Sequence, residues 1–302
     1  MTGGKDPTFL NQTKINNMQL RKATRQKAKI RLGLSAVSGG GKTYSALLVA
    51  KGLCGDWGKV ALIDTENGSG DLYANLGDYM ILPLQAPYSP ERYIEAIKAC
   101  EDGGAEVIII DSITHEWDGK GGVLDISNSM SGNSYTNWAK LTPRHQAFID
   151  TILQSKCHVI TTVRRKQDYE MTTNSAGKLV PQKIGLKEVT REGFEYELTL
   201  NLELDTNHNA TCSKDRTGLF SGKPEFKPSE ETGKMIAEWC ESGLDVTVEV
   251  NDAIAKLKKC NNKEELTLLK ETLPSYVSDD KRFKEAGLKR FNEINKPQEK
   301  TA

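Results

Sequence analysis

The stretch AVSGGGKT, Ala36 to Thr43, stands between the apolar run Ile30-Arg31-Leu32-Gly33-Leu34 and the helix-like TYSALLVAKGL, and this placement restricts the chain more than any other feature. Gly39, Gly40 and Gly41 let the backbone turn with its N–H groups facing inward, where a side chain would block an approaching anion. Lys42 adds an ammonium group, and Thr43 adds a hydroxyl at the start of the next helix, whose dipole favours negative charge. Strand, glycine turn and helix in this order, closing on Gly41-Lys42-Thr43, describe a phosphate-binding loop. Ala36 replaces the usual first glycine and keeps the spacing. Ser38, Gly39, Gly40, Gly41, Lys42, Thr43 and Tyr44 are the expected contacts of ATP, with Thr43 also a ligand of its Mg2+.

Such a loop needs a carboxylate on a neighbouring strand. The run VIIID, Val107 to Asp111, is a buried strand ending in an aspartate, suited to holding the magnesium shell through water. Upstream, KVALIDTENGSG supplies a strand that ends in Asp64-Thr65-Glu66 ahead of a glycine turn. Between them, Ser89-Pro90-Glu91 announces a helix with Tyr93, Ile94 and Ile97 on one face. Thr142-Pro143 is expected to start another helix, with Phe148, Ile149, Ile152 and Leu153 inward. Cys157 to Val163 is a further strand and runs into Arg164-Arg165-Lys166. Two hairpins follow: Tyr169 to Ile184, turning at Asn174-Ser175-Ala176-Gly177, and YELTLNLELD to ATCSKDR.

Alternating strands and helices followed by antiparallel hairpins predict an α/β fold: a P-loop core with a central, mostly parallel sheet, antiparallel edge hairpins and a small C-terminal helical domain. The expected division is a basic, flexible arm over 1–21, the core over 22–243, and helices near 246–259, 263–273 and 279–295 within 244–302. The cations Arg21, Lys22, Arg25, Lys27, Lys29 and Arg31 read as a solvated lead-in ahead of a nucleic-acid contact.

Lys plus Arg and Asp plus Glu are both 41, so a general polyanion coat is excluded and any nucleic-acid surface is local. The 6 cysteines and 4 histidines show no disulfide or metal spacing. No apolar run approaches the roughly 20 residues that cross a bilayer, so a cytoplasmic protein without membrane contact is expected.

AVSGGGKT, VALIDTENGSGDLYANLG and SPERYIEAIKACEDGGAEVIIIDSITHEW together resemble the RecA-like ATPase core. They are most similar to the AAA-domain, Sak-type ATPases that phages carry beside single-strand annealing genes. The resemblance covers about Lys22 to Gly243. It implies that Glu66 orients the attacking water, where the residues alone leave a turn or capping carboxylate open. It implies that Lys214 and Arg216 reach a neighbouring subunit's triphosphate, beside the plain reading of two surface cations on a strand. Thr162 and Arg164 become candidate sensors of the terminal phosphate. The Gly/Ser/Asn-rich segments 119–137 and 167–185, with Tyr135, Trp138, Tyr169, Lys178 and Lys183, fall where DNA-binding loops lie.

The resemblance implies a Mg2+-dependent ATPase in the cytoplasm of a bacterial host cell that forms a filament or ring with itself on single-stranded DNA and promotes annealing or strand exchange, with a phage annealing or single-strand-binding protein as a further partner. An ATP-driven loader or helicase-type motor acting on a protein partner shares every nucleotide residue. A small-molecule kinase is disfavoured because no arginine-rich lid is found.

Overall fold

The computed structural model of the chain describes residues 23–173 and 179–295, apart from the side chains of residues 169–171, 173 and 180–184. The expected arm over 1–21, the turn over 174–177, Lys178 and the terminal KPQEKTA lie outside the described residues, as do the side chains of Tyr169 and Lys183. Two compact units are present, one over residues 28–240 and one in which residues 23–27 join residues 241–295.

The larger unit runs β1 (Arg31–Ala36), α1 (Lys42–Cys54), β2 (Val60–Asp64), β3 (Met80–Pro83), α2 (Pro90–Asp102), β4 (Val107–Asp111), α3 (Thr114–Asp118), α4 (Val123–Ser129), α5 (Ser134–Gln154), β5 (His158–Thr173), β6 (Leu179–Glu188), α6 (Phe194–Glu197), β7 (Leu200–Leu204), β8 (Ala210–Asp215) and α7 (Glu230–Glu241). The sheet order is β3-β2-β4-β5-β1-β7-β8, with β6 paired to β5. The pairs from β3 to β7 are parallel; β8 on β7 and β6 on β5 are antiparallel. This is the α/β fold with a mostly parallel sheet and antiparallel edge hairpins that the sequence predicts.

Successive side chains of a strand face opposite sides, so VALID and VIIID feed two cores at once. Leu62 and Ile109 pack with Leu34, Leu47 and Ile236 on one face; Ile63, Ile108 and Ile110 pack with Tyr93, Phe148 and Ile152 on the other. On the first face α1 and α7 touch through glycines. A Cβ on Gly52 would stand 1.9 Å from the Glu230 carbonyl oxygen, and one on Gly233 would stand 2.2 Å from that of Val49.

Two local expectations are corrected. The helix placed at Thr142-Pro143 begins at Ser134, where the Asn133 side chain accepts a hydrogen bond from the Tyr135 amide at 2.8 Å. Pro143 lies inside α5 and leaves the Ala139 carbonyl without its helical donor, which ordinarily breaks a helix. Burial of Asn137, Leu141, His145, Phe148, Ile149 and Ile152 along one face holds it. The supposed loop over 119–137 is largely α4 and the first turn of α5. Trp138 packs near Trp117, ring centroids 5.8 Å apart, whereas Tyr135 is 83% exposed.

The basic lead-in has structural employment. Arg31 is buried and donates to the carbonyls of Ile30, Leu153, Ser155 and Cys157, and burial lowers its pKa to about 10. His158 is buried beside it. Its Nδ1 accepts from the Ile30 amide at 3.2 Å and its Nε2 lies 3.2 Å from Lys29 Nζ, so an added proton would meet a donor and a cation. Burial, with Lys29 and Arg31, lowers its pKa to about 3. The unfolded chain therefore takes up a proton near pH 6.5 that the fold refuses until about pH 3. Stability contributed by neutral His158 is complete above pH ~6.5 and falls with acidification, by on the order of 5 kcal/mol in total at 1.36 kcal/mol per unit. Urea titrations of the wild type and His158→Gln between pH 7 and 4 are expected to show a shallower acid loss in the variant.

The second unit holds α8 (Val246–Lys258), α9 (Lys263–Thr272), α10 (Ser275–Ser278) and α11 (Lys281–Ile294). Asp245, Asn262 and Asp280 accept backbone amides at three of their N-termini. Val250, Leu257, Leu266, Val277, Phe283 and Phe291 form its core. Among the described residues, no helix is long and apolar enough to cross a membrane.

Candidate active site

Parallel strands in register bring the carboxyl ends of β1, β2, β4 and β5 to one edge, where open α/β sheets bind ligands. Asp64 stands beside Asp111, and β5 separates the phosphate-loop strand β1 from β4, pairing Leu34 with Thr162 and Ala36 with Arg164. The loop leaves β1 after Ala36 and enters α1 through Gly41, which has φ 82° and is the helix N-cap; Gly39 has φ 79°. Glycine adopts this left-handed region without the clash that a Cβ brings.

Lys42 lies along the loop, its Nζ donating to the carbonyls of Val37 at 3.3 Å and Ala36 at 3.5 Å. Burial lowers its pKa, against the opposing pull of Asp111 and Glu66. Asp111 is 1% exposed. Its Oδ2 accepts from Thr43 Oγ1 at 2.5 Å and its Oδ1 from Thr162 Oγ1 at 2.5 Å. Burial raises its pKa, partly offset by those two hydroxyls. Thr162 thus reaches the Asp111 carboxylate, not open space.

The three residues after Ile63 divide the labour. The Asp64 carboxylate accepts the amides of Glu66 at 2.6 Å and Gly70 at 3.0 Å, so it shapes the turn. Thr65 ties the turn to β4: its amide donates to the Asp111 carbonyl at 2.8 Å, and its hydroxyl accepts the Ser112 amide at 2.8 Å and lies 2.7 Å from His115 Nδ1. Glu66 is left to face the cavity. There Arg164 grips it with two donors, Nε to Oε1 at 2.8 Å and Nη2 to Oε2, while the Ser112 hydroxyl donates to Oε1 at 3.2 Å. Burial alone would raise the Glu66 pKa, but the hydrogen bonds and charge of Arg164 outweigh it and hold the carboxylate ionised. Arg164 is raised by the same contact.

A cavity of about 740 Å³ contains these groups. Ser38, Gly39, Gly41, Lys42, Thr43, Tyr44, Glu66, Asp111 and Arg164 all line it, and Gly40 belongs to the same loop. Ser45, Ser69, Tyr73, His208, Lys227 and Pro228 complete the wall, none of which the motifs single out. Tyr73 lies in the short 3-10 segment Ser69–Leu76 and pairs with Tyr44, ring centroids 5.8 Å apart.

Lys214 and Arg216 are elsewhere in the subunit. Both donate to the Tyr196 carbonyl, Arg216 at 3.0 Å, and Lys214 also donates to that of Glu195 at 2.8 Å. They share a face, and neither lines the phosphate cavity of its own chain.

A sequence model described as an AAA domain matches residues 28–227, about two thirds of the chain. The chain belongs to the AAA-domain family. The larger unit is therefore an AAA-type P-loop ATPase domain. Among solved structures, the AAA domain with its C-terminal unit is similar to an ATPase from the type III secretion system of pathogenic bacteria at 12% identity, with a TM-score of 0.37, over 91% of this chain and 88% of that one. No curated protein matches the chain.

Proposed function

We propose that the chain hydrolyses ATP with Mg2+ and couples the reaction to assembly with copies of itself on single-stranded DNA, in support of annealing or strand exchange. The observation that carries the first half is the convergence of Lys42, Thr43, Asp111, Glu66 and Arg164 on one cavity. Lys42 and the amides of the loop bind the β- and γ-phosphates. Glu66, ionised and fixed by Arg164 and Ser112, accepts a hydrogen bond from the water and aligns it for in-line attack. Arg164 can extend charge to the terminal phosphate, since its guanidinium carries more donors than Glu66 occupies. The Thr43 hydroxyl and the Asp111 carboxylate are hard oxygen donors side by side, the chemistry that suits Mg2+. Thr43 would hold the ion directly and Asp111 through water. Bound there, it would neutralise phosphate charge during transfer.

Coupling to DNA is supported by chain continuity: β5 carries Thr162 and Arg164 into the site and continues, through a register shift between Asp168 and Tyr169, into the β5–β6 hairpin. Lys214 and Arg216, at the end of β8, are the groups proposed to reach the triphosphate of an adjoining subunit. A protein-directed motor is favoured by one observation, the ion pairs Arg165–Glu203 and Lys187–Glu192 at the hairpin base, which leave no uniformly basic track there.

Steady-state ATP hydrolysis with and without single-stranded DNA separates the two readings. Stimulation by DNA that disappears in Arg216→Ala is the expected result. Hydrolysis indifferent to DNA and to Arg216 would move the assignment to a protein-directed ATPase.

A further inference from the structure

The phosphate loop is covered from outside by the turn of the hairpin YELTLNLELD to ATCSKDR, a placement that no motif announces. Asp205-Thr206-Asn207-His208-Asn209 joins β7 to β8, and the Asp205 carboxylate accepts the amides of Asn207 and Asn209 at 2.8 Å each. Backbone bonds from the Asp205 amide to the Asn209 carbonyl at 2.9 Å and from the His208 amide to the Asp205 carbonyl at 3.1 Å close the turn. His208 is held at φ 66°, in the left-handed region that costs a residue with a Cβ about 1–2 kcal/mol. The turn sits directly on the glycines. A Cβ on Gly41 would stand 2.8 Å from His208 Nδ1, and one on Gly40 would stand 3.6 Å from the Asp205 carbonyl oxygen.

Lys227 reaches the same wall by another route. Phe226 exchanges both backbone hydrogen bonds with Ala210, at 2.6 and 3.3 Å, and its ring stacks on Phe220 with centroids 5.0 Å apart. The first residue of β8 thus fixes the segment that delivers Lys227, while His208 precedes it by two positions. Exposed groups on an anchored hairpin tip, facing a phosphate loop, are placed as ligands rather than as core residues.

We propose that His208, assisted by Lys227, is a further nucleotide-binding residue, contacting the polyphosphate from outside the loop. The inference rests on the ATP reading above. The groups sharing the cavity are Lys42 from α1, Glu66 beyond β2, Asp111 from β4, Arg164 from β5 and Lys227, with Asp205 on the turn itself. Three of these are cations, so the wall that His208 shares with them favours a triphosphate anion.

The test is calorimetric titration of Mg-ATP into the wild type, His208→Asn, His208→Lys and Lys42→Ala. Asparagine tolerates the left-handed turn, so the first variant preserves the backbone. His208→Asn is expected to bind Mg-ATP about fivefold more weakly than the wild type; fivefold is on the order of one charge-assisted contact. His208→Lys, which restores a donor at the same place, is expected to bind at least as tightly as the wild type. Equal affinity in the wild type and His208→Asn would overturn the proposal. Unchanged binding by Lys42→Ala would instead overturn the ATP reading on which it stands.

Discussion

Replacing Glu66 by glutamine is expected to lower kcat for ATP hydrolysis by about 10²–10⁴-fold while ATP affinity changes little, the range spanned by general-base catalysis. The substitution is nearly isosteric, so the turn shaped by Asp64 and the tie from Thr65 to Ser112 remain. What is lost is the negative charge that Arg164 holds ionised and that the attacking water needs. Single-turnover hydrolysis with an ATP-binding isotherm on the same preparation checks the result. A wild-type rate in Glu66→Gln would show that this carboxylate only closes a turn. Equal loss of binding and turnover would place it in nucleotide binding.

The second large effect is expected far from the cavity mouth, at Gly52. An added methyl would lie 1.9 Å from the Glu230 carbonyl oxygen and 2.8 Å from Gly233 Cα, and both are backbone atoms of or beside α7. No rotamer can relieve a backbone collision, so α1 and α7 must separate. Overpacking of this kind costs about 1–3 kcal/mol or more, which lowers Tm by roughly 3–10 °C in a unit of this size. Because α1 begins with Lys42 and Thr43, Gly52→Ala should also weaken ATP binding in the molecules that remain folded. Thermal unfolding followed with and without ATP measures both consequences. Gly55→Ala is the contrast: its position has open space around a φ of 71°, so it tests backbone conformation without collision.

Why some of this was legible in the sequence and some not has a physical basis. The phosphate loop, the strand ending at Asp111 and the helix opened by Ser89-Pro90 depend on residues close along the chain, and periodicity with glycine and proline signals reports them directly. The helices of the second unit carry their own capping residues and apolar stripes, and the structure adds only the short α10 to those expected. α5 was misplaced because Pro143 is locally a helix-starting residue, and the burial that overrides it comes from α2 and the sheet. The Glu66–Arg164 pair unites residues 98 positions apart, so no local pattern encodes it. His208 and Lys227 look like ordinary polar residues near turns; only the pairing of Ala210 with Phe226 brings them together. A polar turn closing a hairpin beside the phosphate-loop strand was the available signal, since β7 pairs with β1.

The length of β5 gives the nucleotide site mechanical advantage. The strand enters the sheet at His158, passes Arg164 and continues to Thr173 as one arm of a two-stranded ribbon. At about 3.3 Å per residue, the stretch beyond Arg164 measures roughly 30 Å. A rotation of about 5° at the root would carry the far end through roughly 2.6 Å, on the scale of one residue's rise along a strand. Displacements at Arg164 too small to alter the packing of the sheet are therefore magnified at the ribbon's far end, in proportion to its reach.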